Sequence, residues 1–181
     1  MGGLAGIVAF SGEVDEQDLS RLEQSLRHRG NKTSFIHPKP NFSIHLFQTE
    51  QSWQLESDHW KLFLSTPNAP YEHFLDDWSL DPVAALSNLS NSFALVAWEK
   101  KKQRYWLVRD SIGIQSLYWL KTQSHLFFSS EIRSLSSLPS ARKELAVEHL
   151  AEYLSFRYVH APRTLYKDVY AVPAGHIVVV D

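Results

Sequence analysis

Cysteine is absent from all 181 residues of this sequence. Without a thiol the chain can form no disulfide, no thiolate metal site and no cysteine nucleophile. The phosphate-binding patterns G-x-G-x-x-G and G-x-x-x-x-G-K-[ST] are also missing, which excludes phosphate-binding loops of those types. Neither an H-E-x-x-H zinc motif nor a Gly-x-Ser-x-Gly nucleophile elbow occurs. The common signatures of metal, nucleotide and serine-hydrolase chemistry are therefore missing.

Neither positive nor negative charge is in large excess, because the formal net charge is only −2. No overall field therefore attracts nucleic acid or an acidic membrane, and neither is expected as a partner. The one dense basic run, "EKKKQR", lies between two strand-like segments and is interpreted as a solvated hairpin tip. The nine histidines show no metal-ligand spacing, so we interpret them as core or surface residues and expect no metal.

The apolar content is ample for a core. Hydrophobic residues make up 44% and aromatic residues 13% of the chain, which is unlike a disordered sequence. The length suits one domain, and no repeat, low-complexity tract or linker divides it. We therefore predict a single domain over residues 1–181.

The opening stretch "MGGLAGIVAF" is apolar from the first residue. It is too short to span a bilayer and lacks the basic region and cleavage site of a signal peptide. We interpret it as a buried strand at the N-terminus, and we expect a cytoplasmic protein.

Periodicity gives a coarse secondary structure. Helices are predicted over "DEQDLSRLEQSLRHRG", from the Asp81-Pro82 start onward, and over Ala146 to Phe156. Strands are predicted for "NFSIHLFQ", "HWKLFLS" and "GHIVVVD", with hairpins in "SFALVAWEKKKQRYWLVRD" and "QSLYWLKTQSHLFFSSE". Residues 49–57 are polar and predicted to form a loop. Hairpins with helices set between them indicate an α+β fold with largely antiparallel sheets.

Five segments together resemble a known family. In order along the chain, "MGGLAGIVAF", "LRHRG", "RDSIGIQSLYW", "FFSSEIRSL" and "YLSFRYVHAPRTLYKDVYAVPAGH" resemble the N-terminal glutaminase domain of the asparagine synthetase and β-lactam synthetase family. The resemblance covers residues 1–30 and about 88–181. It implies a class II glutamine amidotransferase domain of the N-terminal-nucleophile (Ntn) hydrolase type. The implied fold is a four-layer αββα sandwich with two mainly antiparallel sheets.

The same resemblance explains why the strand begins at the terminus. In this family the initiator Met is removed and the second residue, a Cys, attacks glutamine while its own α-amine serves as base. Here Gly2 occupies that position, so the nucleophile is missing and no catalytic residue is assigned.

The remaining glutamine-site positions are degraded as well. The family's substrate-binding arginine falls in a strand that here reads "NFSIHLFQ", without arginine. Its oxyanion-hole Asn-Gly-Glu segment corresponds to "KLFLSTPNAP", where Asn68 is followed by Ala69. The acid that binds the substrate amine aligns only with Asp76 or Asp77, in "YEHFLDDW". Substrate-binding residues are therefore left unassigned.

Each of the surviving motifs has a structural interpretation. Arg109 and Asp110 are interpreted as a structural ion pair at a strand end, and Gly113 and Gly175 as turn residues. "LRHRG" is interpreted as a helix C-terminus whose charges complement the helix dipole. Glu131 is expected to cap the helix that follows "FFSS".

Three functions remain open. The first is a catalytically degenerate domain that supports an asparagine-synthetase-like partner, in cis or in trans. That partner would hold ATP and magnesium, with no cofactor in this chain, and an exposed apolar face is expected for its docking. The second is a glutamine-hydrolysing domain of an asparagine synthetase, inactivated by a Cys-to-Gly change. The third is a module that binds another metabolite in the vacated glutamine pocket. The product of the parent system and the oligomeric state are left open.

Overall fold

The computed structural model describes residues 3–29, 32–39, 42–48, 52–139, 141 and 144–181, with only the backbone of 32–39 and 42–48. Within those ranges, no helix combines the length and the apolar character needed to cross a bilayer.

Six strands form the first sheet, and all of their pairings are antiparallel. Their order across this sheet, sheet 1, is β10-β8-β9-β1-β3-β2. The strands are β1 (Gly3–Ala9), β2 (Lys32–Lys39), β3 (Phe42–Gln48), β8 (Tyr118–Lys121), β9 (His125–Ser129) and β10 (Val169–Ala171).

Five strands form sheet 2, again with antiparallel pairings, in the order β11-β7-β6-β5-β4. They are β4 (Ser52–Glu56), β5 (Trp60–Ser65), β6 (Ala94–Glu99), β7 (Arg104–Arg109) and β11 (Ile177–Val180). The α-helices are α1 (Glu16–Leu26), α2 (Phe74–Leu80), α3 (Pro82–Ser87), α4 (Ile132–Ser136) and α5 (Leu150–Phe156). Short 3₁₀ turns cover Arg27–Arg29 and Val147–His149.

Three apolar clusters separate four layers. A central cluster joins side chains of both sheets, among them Leu4, Phe63 and Phe128. A second cluster packs α1 and α4 on the outer face of sheet 1, and a third packs α2 and α3 on the outer face of sheet 2. The predicted αββα sandwich is therefore confirmed.

Strand β1 lies inside sheet 1, between β9 and β3. Its side chains alternate between two cores: Leu4 and Val8 face the central cluster, whereas Ala5 and Ile7 face α1. A strand buried on both faces reads as a continuous apolar run, which is why its sequence shows no polar alternation.

The helix boundaries follow local signals. Asp15 caps α1 by accepting the amide of Gln17 at 2.8 Å, and Asp81 caps α3 by accepting the amides of Val83 and Ala84. Leu19, Leu22 and Leu26 recur at helical spacing on one face of α1, and all three are buried. Gly30, expected after this helix, lies outside the described residues.

The predicted loop over residues 49–57 is wrong, because β4 occupies Ser52–Glu56. This strand is the edge of sheet 2 and is mostly exposed or half-buried, so only Trp53 and Leu55 on one face carry an apolar signal. The segment 146–156 is helical as predicted, but it is divided between a 3₁₀ turn and α5, and no residue of α5 is buried.

Candidate functional site

The start of β1 lies at one end of sheet 1, where the ends of several strands meet. Ala5 pairs with Ser129, and Ser129 pairs with Tyr118, so the start of β1 adjoins the end of β9 and the start of β8. On the other side Gly3 pairs with Phe47 near the end of β3. We call this end of the sandwich the β1 edge. Gly2, at the expected nucleophile position, lies outside the described residues.

The strands of sheet 2 also end on this side of the sandwich. Ser65 pairs with Ala94, which pairs with Arg109, so the end of β5 and the end of β7 are aligned. The Arg109 guanidinium donates to the carbonyl of Gln115 at 2.7 Å and to that of Val172 at 2.9 Å. Since Gln115 lies three residues before β8 and Val172 directly follows β10, the end of β7 belongs to the β1 edge.

Ser130 holds the backbone at the start of β1. Its hydroxyl accepts a hydrogen bond from the Leu4 amide at 3.0 Å, and its own amide donates to the Leu4 carbonyl at 2.7 Å. Ser130 and Leu4 are both buried, so water cannot replace these bonds. The start of the strand is therefore positioned by a residue 126 positions away in sequence.

Glu131 connects this serine to the end of α1. Its carboxylate accepts from Arg29 Nε at 2.5 Å and contacts His28 Nε2 at 2.7 Å. Burial disfavours the charged carboxylate, but the hydrogen bonds from Arg29 and His28 outweigh it and lower the pKa of Glu131. Glu131 occupies the N-cap position of α4, but its side chain makes no capping bond, so the predicted capping interaction is wrong. Its side chain instead pairs with the "LRHRG" segment.

Asp110 organises the loop after β7 rather than pairing with Arg109. Its Oδ1 accepts the amides of Ile112, Gly113 and Ile114 at 2.7–3.2 Å, and its Oδ2 accepts that of Gln115 at 2.9 Å. The guanidinium of Arg109 is directed to backbone carbonyls instead. The expected ion pair is therefore replaced by two separate clamps, one on amides and one on carbonyls.

Gly113 sits where these clamps meet, with φ at +77°. A Cβ at this position would lie 2.9 Å from the Cβ of Ala174 and 3.2 Å from Arg109 Cζ. Gly175 also has a positive φ, +68°. Both glycines thus meet a backbone requirement, as predicted.

Two buried hydroxyls end β5 at the β1 edge. Ser65 and Thr66 are 2% and 1% exposed, and their side-chain oxygens have no hydrogen-bond partner among the described residues. An unsatisfied buried hydroxyl costs about 1–3 kcal/mol. Sequence reasoning missed this pair; the polar "ST" that ends the apolar strand "WKLFL" was the available signal.

The candidates from the sequence lie apart from these hydroxyls. Asn68 is in the loop after β5 and donates to the side-chain oxygen of Asn91 at 3.1 Å. On α2, the Asp76 side chain is 82% exposed, and Asp77 accepts the Tyr71 hydroxyl at 2.9 Å. Neither aspartate is thus held free in a buried site that could bind a substrate amine.

Exposed apolar side chains surround the β1 edge. Ile112 and Ile114 flank Gly113 and are 79% and 60% exposed. Arg109 lines two grooves. Val83 and Gly175 belong to the first groove, and Tyr153 and Ala174 belong to the second. We call the set the apolar rim: Val83, Ile112, Ile114, Leu150, Tyr153, Leu154, Phe156 and Tyr158.

Known proteins resemble both the sequence and the fold. Residues 72–181 match the family described as "Glutamine amidotransferase domain". Asparagine synthetase [glutamine-hydrolyzing] 1 of Bacillus subtilis is 32% identical over 107 residues, 59% of this chain and 16% of that protein. Amidase chyE of Penicillium rubens is 33% identical over 94 residues, 52% of this chain and 13% of its own length. The chain thus spans about a sixth or less of these relatives.

Among solved structures, glutamine phosphoribosylpyrophosphate amidotransferase from Bacillus subtilis, complexed with ADP and GMP, superposes with a TM-score of 0.54. The superposition covers 74% of this chain and 43% of that one at 12% sequence identity. The likeness establishes a shared fold.

Proposed function

Since this chain belongs to the glutamine amidotransferase domain family and is related to asparagine synthetases, we propose that it is a catalytically degenerate member, one domain over residues 1–181. Its role would be to support an ATP-dependent, asparagine-synthetase-like domain or subunit that forms amide bonds. ATP and magnesium would be held by that partner. The carrying observation is the absence of any cysteine from the sequence.

Loss of the thiol coincides with loss of the groups around it. The strand that would supply a substrate-binding arginine is β3, which contains none and whose end pairs with the start of β1. In the segment after β5, where the family carries Asn-Gly-Glu, Asn68 is followed by Ala69. By contrast, the clamps of Ser130, Arg109 and Asp110 that shape the β1 edge are intact. Fold-determining contacts persist where substrate-binding groups do not.

The apolar rim supports the partner part of the proposal. Helix α5 buries none of its residues, although Leu154 and Phe156 are 65% and 58% exposed. Burying one such side chain contributes about 1.5–3 kcal/mol, and an apolar face of this kind marks an interaction site. In asparagine synthetase 1, five-sixths of the protein lies beyond the matched segment, so a synthetase domain is the occupant we propose.

Affinity capture of the endogenous protein from its host, with mass spectrometry of what is recovered, tests this assignment. We expect either a longer polypeptide that carries a synthetase domain or a co-purifying synthetase subunit. Leu154→Glu should abolish co-purification of a separate subunit or, in a longer polypeptide, make the connection between the two domains sensitive to proteolysis. Val179→Glu on β11 should do neither. Recovery of this chain with neither would refute the proposal.

The second candidate is a glutaminase inactivated by a Cys-to-Gly change. It predicts that Gly2→Cys, after removal of Met1, releases glutamate from glutamine. We expect no release above that of the parent chain, because the family's substrate-binding arginine is missing too. Glutamate formation by the folded Gly2→Cys variant would favour this candidate over degeneracy.

Metabolite binding in the vacated pocket is favoured by one observation: the hydroxyls of Ser65 and Thr66 are buried and have no partner in the described part of the chain. If they bind a ligand, a member of an amino-acid panel should raise the thermal midpoint of unfolding. Ser65→Ala and Thr66→Val should each remove that stabilisation. A flat response across the panel would count against this function.

A further inference from the structure

The groove beside Arg109 that is lined by Tyr153 and Ala174 is a cavity of about 540 Å³. One wall is the segment that follows α5, and the other is formed by Tyr118, Ile132 and Ala171 on the outer side of sheet 1. None of Leu4, Ser65 and Ser130 lines it, so it is separate from the position of the glutamine site. Its volume falls within the range of about 300–1,000 Å³ typical of small-molecule sites.

The cavity is positively charged. Among the residues that the structure describes, Arg109, Arg157 and Arg163 line it, and no aspartate or glutamate does. The guanidinium of Arg163 is paired with Glu152 at 3.1 Å, and that of Arg109 donates to backbone carbonyls. Arg157 makes no side-chain hydrogen bond or ion pair with any described residue. Its charge is thus available to an anion.

Arg157 is also held in an unusual backbone conformation. It is the C-cap of α5 and lies in the left-handed region, at φ 66° and ψ 9°, where its amide donates to the Tyr153 carbonyl at 2.8 Å. Glycine is the usual residue at such a position, and strained non-glycine residues concentrate at ligand sites. The side chain of this arginine lines the cavity, although its backbone is in the left-handed region.

Aromatic side chains form much of the remaining wall: Tyr118, Tyr153, Tyr158 and Tyr166. The Tyr158 hydroxyl contacts His160 Nε2 at 3.0 Å, and its ring lies 4.6 Å from the His160 ring. The hydroxyls of the other three have no partner among the described residues. Such rings bind flat ligands by stacking, and guanidinium binds planar anions through paired N–H donors.

We infer that this cavity binds a small organic anion that carries a planar ring, with Arg157 pairing to the anionic group and the tyrosines packing against the ring. The inference concerns the isolated chain and does not depend on a synthetase partner. Carboxylate and phosphate share the required chemistry, so the test separates them.

The test is a titration of the full chain, followed by nuclear magnetic resonance, with benzoate and phenyl phosphate. Benzamide supplies the ring without the charge, and acetate supplies the charge without the ring. We expect one of the two ring-bearing anions to bind at least fivefold more tightly than benzamide or acetate. The tighter of the two identifies the anionic group.

Two variants tie binding to Arg157. Arg157→Gly relieves the left-handed strain, so it should keep or raise the thermal midpoint while weakening binding at least fivefold. Arg27→Gln, which removes an exposed arginine of the 3₁₀ turn after α1, should leave binding unchanged. Equal binding of benzoate, phenyl phosphate and benzamide, unchanged binding by Arg157→Gly, or no binding up to about 10 mM would overturn the inference.

Discussion

Replacing Asp110 by asparagine or alanine tests how the loop at the β1 edge is held. The carboxylate is 3% exposed and accepts four backbone amides. Asparagine keeps one oxygen for the three amides bound by Oδ1, but it turns an NH₂ group toward the amide of Gln115. Alanine removes both carboxylate oxygens at once, although the Gly113 amide keeps its bond to the backbone carbonyl of residue 110 at 3.0 Å.

The expected losses follow from the number of amides left without an acceptor. Asp110→Asn leaves one buried amide facing another donor, so it should lower the free energy of unfolding by about 2 kcal/mol. Asp110→Ala should lower it by about 3–4 kcal/mol, because it removes the acceptor of the buried Gln115 amide and those of the other amides together. The loss is not larger, because water can reach the amides near the exposed Ile112 and Ile114. For a domain of this size, about 2 kcal/mol corresponds to a midpoint lower by about 4–8 °C.

Urea unfolding followed by circular dichroism measures both losses, with Asp76→Asn as the matched control. The Asp76 side chain is 82% exposed, so its substitution should change stability by less than about 0.5 kcal/mol. If both Asp110 variants fall within that same limit, the carboxylate does not hold the loop. If Asp110→Asn lowers the free energy of unfolding as much as Asp110→Ala does, the charge of the carboxylate and not its number of acceptor atoms determines the loss.

Three further predictions concern the same edge. Gly113→Ala should destabilise the fold by about 2–3 kcal/mol. Gly12→Ala, whose Cβ would meet no atom of the described residues within 4 Å, should cost about 1 kcal/mol, the cost of the positive φ alone. Equal losses in thermal unfolding would exclude a steric role for Ala174. The stability that Glu131 contributes is present above its unfolded pKa and lost as pH falls through its lowered folded pKa. The stability difference between the parent and Glu131→Gln should therefore shrink from pH 7 to pH 3, and a constant difference would contradict this. Ser130→Ala should cost about 1–3 kcal/mol through the orphaned Leu4 amide, and hydrogen exchange at Leu4 that stays as slow as in the parent would contradict it.

Most of the fold was predictable because it follows local patterns. The leucines of α1 recur at helical spacing, and the β6–β7 hairpin surrounds a charged tip. Asp81 and Pro82 mark the start of α3 as a cap and first-turn pair. Four elements without such signals were missed: strand β2, helix α2, the three-residue β10 and the half-exposed edge strand β4.

The site was less predictable because its contacts join distant segments. The motifs "LRHRG" and "FFSSE" were both recognised, but nothing in their spacing shows that Arg29 and Glu131 meet across 102 positions. Similarly, Arg109 and Asp110 are neighbours in sequence, which favours an ion pair. In the fold, the Arg109 side chain instead donates to backbone carbonyls and the Asp110 side chain accepts from backbone amides. That Ser65 and Thr66 are buried with no partner among the described side chains and backbone is a property of the tertiary packing, which one sequence does not reveal.

The central place of β1 in sheet 1 also has a consequence for biosynthesis. The residue that holds its start, Ser130, is made 126 positions after Leu4, which takes a ribosome roughly 6–25 s at about 5–20 residues per second. During that interval the apolar strand has no β9 to pair with, and contacts of such long separation form slowly. Nascent chains of this domain should therefore expose their first strand and bind chaperones until residues 125–130 emerge.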